Sequence, residues 1–235
     1  MQSWRLSWRN PRKIDLSAIF FAEVGSGFFV EVGIGHPTQG SQTWPLEQAG
    51  WTGVLIEPQP DLAAFLVTAR SAKVFAVACS SPDKAGGSLP LHVSRPLKSS
   101  DRAAVASDSE TQYMLIVPVR TLDSILEEAE APIPIDFISV NVEGHELQAL
   151  RGFDFARWQP HLVALERSAG GIKAHRYLRR AGYCLIRCDG TNDWYAAGEL
   201  RVRVAWRQRW DNLWRFYLEW PLWILRRAFR RVRRR

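Results

Sequence analysis

The stretch FFVEVGIGHPTQG, Phe28–Gly40, decides the fold. It opens on four apolar residues around one acid, Glu31, which reads as a buried strand. Gly33 and Gly35 follow at once. Glycine at that place lets the backbone take φ > 0 and lets a ligand approach the chain closely. A buried strand ending in a glycine turn is the ligand-binding corner of an open α/β sheet.

Working outward, other apolar runs have the same character. Residues 53–57 (GVLIE), 73–79 (KVFAVAC), 135–141 (IDFISVN) and 162–166 (LVALE) read as continuous apolar strands. Between them, SQTWPLEQAG, PDLAAFLVTARS, TLDSILEEAE and GHELQALRG read as helices. Continuous apolar strands alternating with helices predict a parallel sheet covered on both faces. Near the end, YCLIRCDGTNDWYA carries an Asp-Gly turn between two strand-like runs and predicts an antiparallel hairpin. SLPLHVSRP and YMLIVPVRT bracket a polar stretch, residues 97–112, read as a mobile insertion and candidate lid.

The ligand is narrowed by two acids and one missing glycine. A dinucleotide turn wants G-x-G-x-x-G, and Thr38 stands where the third glycine belongs. That spacing disfavours a nucleotide-dependent oxidoreductase. Glu31, two residues before Gly33, would repel a pyrophosphate and favour a cationic ligand. S-adenosylmethionine (SAM), with its ammonium and sulfonium, is such a ligand. Glu57, followed by Pro58, ends the second strand and suits a grip on ribose hydroxyls; the alternative is a plain acid before the next helix.

These residues resemble the FkbM family of SAM-dependent methyltransferases. The motifs are GFFVEVGIG, SQTWPLEQAGWTGVLIEPQP, TLDSIL, IDFISVNVEGHELQALRGFD and LVALE, and the likeness runs from about Gly27 to Ala197. The resemblance implies a three-layer Rossmann-like class I SAM-methyltransferase fold. Its sheet would be mostly parallel and seven-stranded, with a C-terminal antiparallel hairpin. It also implies O-methylation of a hydroxyl on a sugar, lipid-linked glycan, lipid or related metabolite. Carried over by position, Glu31, Gly33 and Gly35 would hold the methionine part of SAM. Glu57 and Pro58 would hold the ribose, and Ala78 and Cys79 would border the adenine. The chain departs from the family at three places: Glu31 stands for the usual Asp, His36-Pro37 for Asp-Gly, and Asn141 begins NVEG where DVEG is usual.

Methylating an alcohol requires removal of its proton, and the candidates cluster after the fourth and fifth strands. His145 is favoured as base, because histidine titrates near neutrality. Glu143 is expected to orient it or the acceptor, with Asn141 beside them. Glu166 and His36 are weaker candidates. Glu143 and Glu146 also suit a helix N-terminus electrostatically. A divalent metal is possible but not favoured, since Asn141 brings no charge. Asn141 also leaves open a SAM-binding or scaffold protein without turnover.

Charge is concentrated at one end. Residues 201–235 hold twelve Arg against Asp211 and Glu219, a net of +10; the chain total is +7, so residues 1–200 carry −3. Five of the eleven Trp lie between Trp206 and Trp223. Trp with Arg suits an anionic membrane surface. Docking on a protein is the next reading, and nucleic acid is disfavoured. The expected division is a basic, aromatic N-terminal segment and lead-in helix (1–26), a SAM-dependent domain (27–200) and an amphipathic tail (201–235). No run approaches the roughly 20 apolar residues of a membrane span. The expected location is the cytoplasm, with peripheral attachment to the inner face of the membrane as an option. Three cysteines suit a reducing compartment, with Cys184 and Cys188 expected on one face of a strand.

Overall fold

The computed structural model describes residues 20–21, 24–95, 111–168, 171–189, 191–200, 202, 206–214 and 216–217. The terminal arginine run, most of the N-terminal segment and most of the expected lid lie outside the described residues.

The main sheet has seven strands: β1 (Phe28–Val32), β2 (Thr52–Ile56), β3 (Lys73–Phe75), β7 (Phe137–Val140), β8 (Leu162–Glu166), β9 (Tyr183–Cys188) and β10 (Asn192–Ala197). Their order is β3-β2-β1-β7-β8-β10-β9. All neighbours are parallel except β10, which runs antiparallel to both β8 and β9. This is the expected mostly parallel sheet with an antiparallel hairpin. The order reverses between β1 and β7, the switch point where open α/β sheets bind ligands.

Strand alternation explains why the apolar runs are continuous. Val30, Val32, Val54, Ile56, Ile138, Val140, Val163 and Leu165 feed one core. Phe29, Leu55, Phe137, Leu162 and Ala164 feed the other. Every second residue faces the opposite helical layer, so both faces must be apolar. The first core is covered by α3 (Leu122–Glu128), α4 (Glu146–Arg151), α5 (Phe155–Trp158) and α6 (Gly171–Arg180). The second is covered by Phe20, Phe21, α1 (Trp44–Gln48) and α2 (Pro60–Ala69).

The run 73–79 is not one strand. Pro58 has no N–H to extend β2, so beyond Phe75 the chain loses its partner in the main sheet. β4 (Ala78–Cys79) instead pairs with β6 (Thr111–Arg120), which pairs along its length with β5 (Ser88–Arg95). The three strands form a second sheet, order β4-β6-β5. The helix expected over 41–50 shrinks to α1, because Ser41, Gln42 and Thr43 are engaged by Glu31.

Cys184 and Cys188 do not share a face. The β9–β10 register shifts between Trp194 and Tyr195, whose partners are Arg187 and Leu185. The extra residue offsets the alternation. Cys184 is therefore exposed and Cys188 buried. A final helix, α7 (Trp206–Trp214), lies against β9.

Candidate active site

A cavity of about 410 Å³ opens at the carboxyl ends of β1, β2, β4 and β7. It brings together Gly33, Gly35, Glu57, Pro58, Ala78, Cys79, Asn141, Glu143 and His145. Those nine positions are spread over more than a hundred residues of sequence. Parallel strands gather them, because each strand delivers its last residue to the same edge.

The two glycines have different jobs. Gly33 has φ +80°, and a Cβ there would sit 1.7 Å from the Asn141 carbonyl oxygen. Its N–H donates to Ile56 O at 2.8 Å, and Asn141 N–H donates to Val32 O at 2.8 Å. Gly33 is glycine because β1 and the end of β7 meet there. Gly35 has nothing within 4 Å of its imagined Cβ and lines the cavity. A side chain at Gly35 would take up room in the cavity.

The two acids also diverge. Glu31 is buried but does not line the cavity. Its carboxylate accepts from Ser41 Oγ (2.7 Å), Gln42 N–H (3.0 Å) and Thr43 Oγ1 (2.5 Å). Thr43 also accepts from Arg70 Nη2 (3.0 Å), and Arg70 Nε donates to Glu47 at 2.6 Å in a buried ion pair. Arg70 Nη1 donates to Pro37 O at 2.8 Å. Glu31, Arg70 and Glu47 thus hold the loop that follows the glycine turn. Glu57 is buried and faces the cavity. Its Oε2 accepts from Ile34 N–H (3.0 Å) and its Oε1 from Gln59 N–H (2.9 Å). Burial pushes its carboxyl up to about 7, against the lowering effect of those two bonds. Each oxygen has a lone pair left to accept a hydroxyl proton.

One wall is apolar. Leu89, Leu91 and Val93 alternate along β5 on a common face and line the cavity, with Val77 and Cys79 from the β3–β4 segment. Burial pushes the Cys79 thiol up to about 12, so it is a wall and not a nucleophile. SLPLHVSRP was read only as one border of a polar insertion, and nothing in the sequence marked it as a wall of this cavity.

Asn141, Glu143 and His145 line the other side on an exposed turn. Glu143 (φ +48°) and Gly144 (φ +107°) both take left-handed backbone. His145 N–H donates to Val142 O at 3.2 Å, and His145 is the residue before the first turn of α4. Glu146 fixes this turn from below. It is fully buried, accepts from Gly144 N–H at 2.7 Å, and accepts from Ser168 Oγ, beyond the end of β8. His36 lies outside the lining; its Nδ1 accepts from Thr38 N–H (3.2 Å) and Gln39 N–H (3.0 Å), closing the loop on itself. Glu166 is also outside the lining. Among the described residues, no group of three or more His, Cys, Asp or Glu side chains could hold a metal ion.

A seven-stranded sheet of this order, with a glycine turn, a buried acid and an apolar wall at its switch point, has the Rossmann-like form of a SAM-methyltransferase fold. The match to known families is more specific: the methyltransferase FkbM domain covers residues 31–185, more than half of the chain, and the chain belongs to that family. Among solved structures, the human methyltransferase 10 domain containing protein is similar, at 13% identity and a TM-score of 0.37 over 77% of this chain and 79% of that one. No curated protein gives a significant match. Family membership implies SAM as methyl donor. The residues present fit such a ligand: an acid with spare acceptors, an open glycine and an apolar slot share one cavity.

Proposed function

We propose that this chain is an O-methyltransferase acting on a hydroxyl of a sugar, lipid-linked glycan, lipid or related metabolite at a membrane surface. The observation that carries the reading is the meeting of two sets of residues in one cavity. Glu57, Gly35 and the apolar wall of Ala78, Cys79, Leu89 and Leu91 make the donor side. Asn141, Glu143 and His145 make the acceptor side.

Bound SAM would supply an electrophilic methyl group. Glu57 would accept the ribose hydroxyls, and Val77, Ala78 and Cys79 would border the adenine. Gly35 leaves room for the methionine part, while Glu31 acts at one remove by holding the loop. His145 would take the acceptor's hydroxyl proton, with Glu143 and Asn141 orienting the acceptor by hydrogen bonds. Positioning of this kind contributes up to about 7–11 kcal/mol, and a placed base about 10²- to 10⁴-fold. The reading assigns removal of the proton to His145 and not to a metal ion.

The test has two stages. SAM is titrated into the full chain, with NAD as control. Radiolabelled SAM is then incubated with lipid extracts and sugar acceptors. The reading expects SAM binding, no NAD binding, and label in a base-stable methyl ether. Label in a base-labile ester or on nitrogen overturns O-methylation. SAM binding without transfer to any acceptor, with Asn141→Asp gaining activity, favours a SAM-binding scaffold instead.

A further inference from the structure

α7 has three faces. Asn212 points inward and is buried, as is Phe216, which follows the helix. Trp206, Trp210 and Trp214 are 67%, 68% and 62% exposed, and Leu213 and Tyr217 are also open. At 100° per residue Trp206, Trp210, Leu213 and Trp214 fall on one stripe, with Asn212 on the opposite side of the helix. Arg207 and Arg209 fall on its two flanks, both exposed, and the Arg207 guanidinium lies over the Trp206 ring at 5.4 Å.

The helix is fixed to the domain. β9 is the edge strand of the main sheet, and the Asn212 amide stands where a neighbouring strand would. Its Nδ2 donates to Ile186 O at 2.9 Å, and its Oδ1 accepts from Cys188 N–H at 3.2 Å. Phe216 packs on His175 of α6, ring centroids 4.5 Å apart. α6 itself exposes Lys173, Arg176, Arg179 and Arg180. β9 runs parallel to β8, so Ile186 and Cys188 lie at the carboxyl edge of the sheet. That is the edge that carries the cavity. The clamp is three strand spacings from β7, about 14 Å at roughly 4.8 Å each.

We infer that α7 is a docking helix for an anionic bilayer, clamped to the sheet so that the cavity's edge is brought to the lipid headgroups. Trp and Tyr are the residues that settle at headgroup depth, and flanking Arg binds anionic lipid while its stem follows the apolar face. A stripe of three Trp between two Arg suits that layer better than the dry core of a protein interface, from which flanking charge would have to be desolvated. The cations of α6 and the seven Arg between Arg226 and Arg235 have the sign such a surface attracts. The inference deepens the proposed function by naming the surface that presents the acceptor. Its acceptor part rests on the methyl-transfer reading, and the docking does not.

The test uses the full chain without SAM. Vesicle flotation compares phosphatidylcholine alone with equimolar phosphatidylcholine and phosphatidylglycerol. The expected result is flotation on the anionic vesicles only. The triple change Trp206→Ser, Trp210→Ser and Trp214→Ser should lower it roughly tenfold or more, with the circular dichroism spectrum and SAM titration unchanged. Hydrogen exchange should show α7 and the end of β9 protected together on vesicles. Asn212→Ala should keep flotation and lose the β9 protection. Absent flotation overturns the inference. So does a triple variant that floats like the parent, because the Arg-rich end alone would then bind. Light scattering that shows a dimer dissolved by the triple change would assign the stripe to a second copy instead.

Discussion

The turn after β1 and the turn after β7 lie side by side, both line the cavity, and are built on opposite plans. The first is closed from outside. Gly33 is pressed against Asn141, Ile34 N–H is held by Glu57, and the following loop is gripped by Glu31 and the buried Arg70–Glu47 pair. The second is propped from beneath by Glu146 and leaves Asn141, Glu143 and His145 exposed. The difference separates two tasks. A methyl donor that is the same in every turnover suits a rigid cradle, and an acceptor that must enter and leave suits an open rim. On the proposed reading, changes in the first turn should alter stability and donor affinity, and changes in the second should alter turnover.

The sharpest way to break this comparison lies in the two glycines. Gly33→Ala forces a Cβ into the Asn141 carbonyl at a positive φ, and should destabilise by more than about 4 kcal/mol, enough to leave little folded protein. Gly35→Ala meets nothing and should melt within a few degrees of the parent, but should weaken SAM binding. Thermal melts with calorimetric titration read both. Equal melting losses would mean that the turn is uniformly strained and that its two glycines do not divide the work between them. On the open side, His145→Ala should lower methyl transfer about 10²- to 10⁴-fold while SAM affinity stays unchanged. A loss of SAM affinity instead would move His145 into the donor cradle.

Glu57 sharpens the comparison through pH. Its carboxyl titrates near 7 in the folded chain against an ordinary 4.5. Between those values the folded chain binds more protons than the unfolded one. Its contribution to stability is therefore present below about 4.5 and is lost as pH rises through 7, up to about 3 kcal/mol. SAM affinity should run the other way, because the ionised carboxylate is the better acceptor for ribose hydroxyls. Affinity should fall as pH drops below about 7, and Glu57→Gln should flatten that dependence while weakening binding roughly 10-fold or more. Opposite pH slopes for melting and binding in one protein would tie both to this residue.

Legibility divided along the same line. The strands were readable because doubly covered strands must be apolar on both faces, and the hairpin because Asp189-Gly190 marks its turn. The cavity residues were readable because parallel strands end at one edge. Partners were not. Glu31 and Glu57 look alike in sequence, each an acid at the end of an apolar strand. What separates them is Ser41 and Thr43 near one, and an open cavity beside the other. Glu146 looked like an ordinary first-turn acid, and only the approach of Ser168 reveals it as the prop of the turn after β7. Asn212 carried no signal, since an amide that substitutes for a neighbouring strand is recognisable only once β9 is known to be an edge.

The smallest expected effect concerns the seam between α6 and α7. His175 is held neutral: burial pushes its imidazole down to about 4, and the Arg179 and Arg176 cations on the same helix act in the same direction. Its Nδ1 lies 3.1 Å from Tyr195 Oη, and its ring meets Phe216 and Tyr217. In the window between about 4 and the ordinary 6.5, the unfolded chain binds the extra proton and the folded chain does not. Stability from this group is thus full above 6.5 and is lost as pH falls through 4, by about 2–3 kcal/mol. Because Phe216 follows α7, the loss should be felt first at the α6–α7 seam, far from the glycine turn. Hydrogen exchange at pH 5 and pH 7 should show α7 opening at the lower pH while β1 and β7 stay protected. His175→Phe, which keeps the ring stack and removes the titration, should erase the difference. If β1 opens together with α7, the aromatic helix belongs to the same cooperative unit as the donor cradle, and the clamp is part of the core.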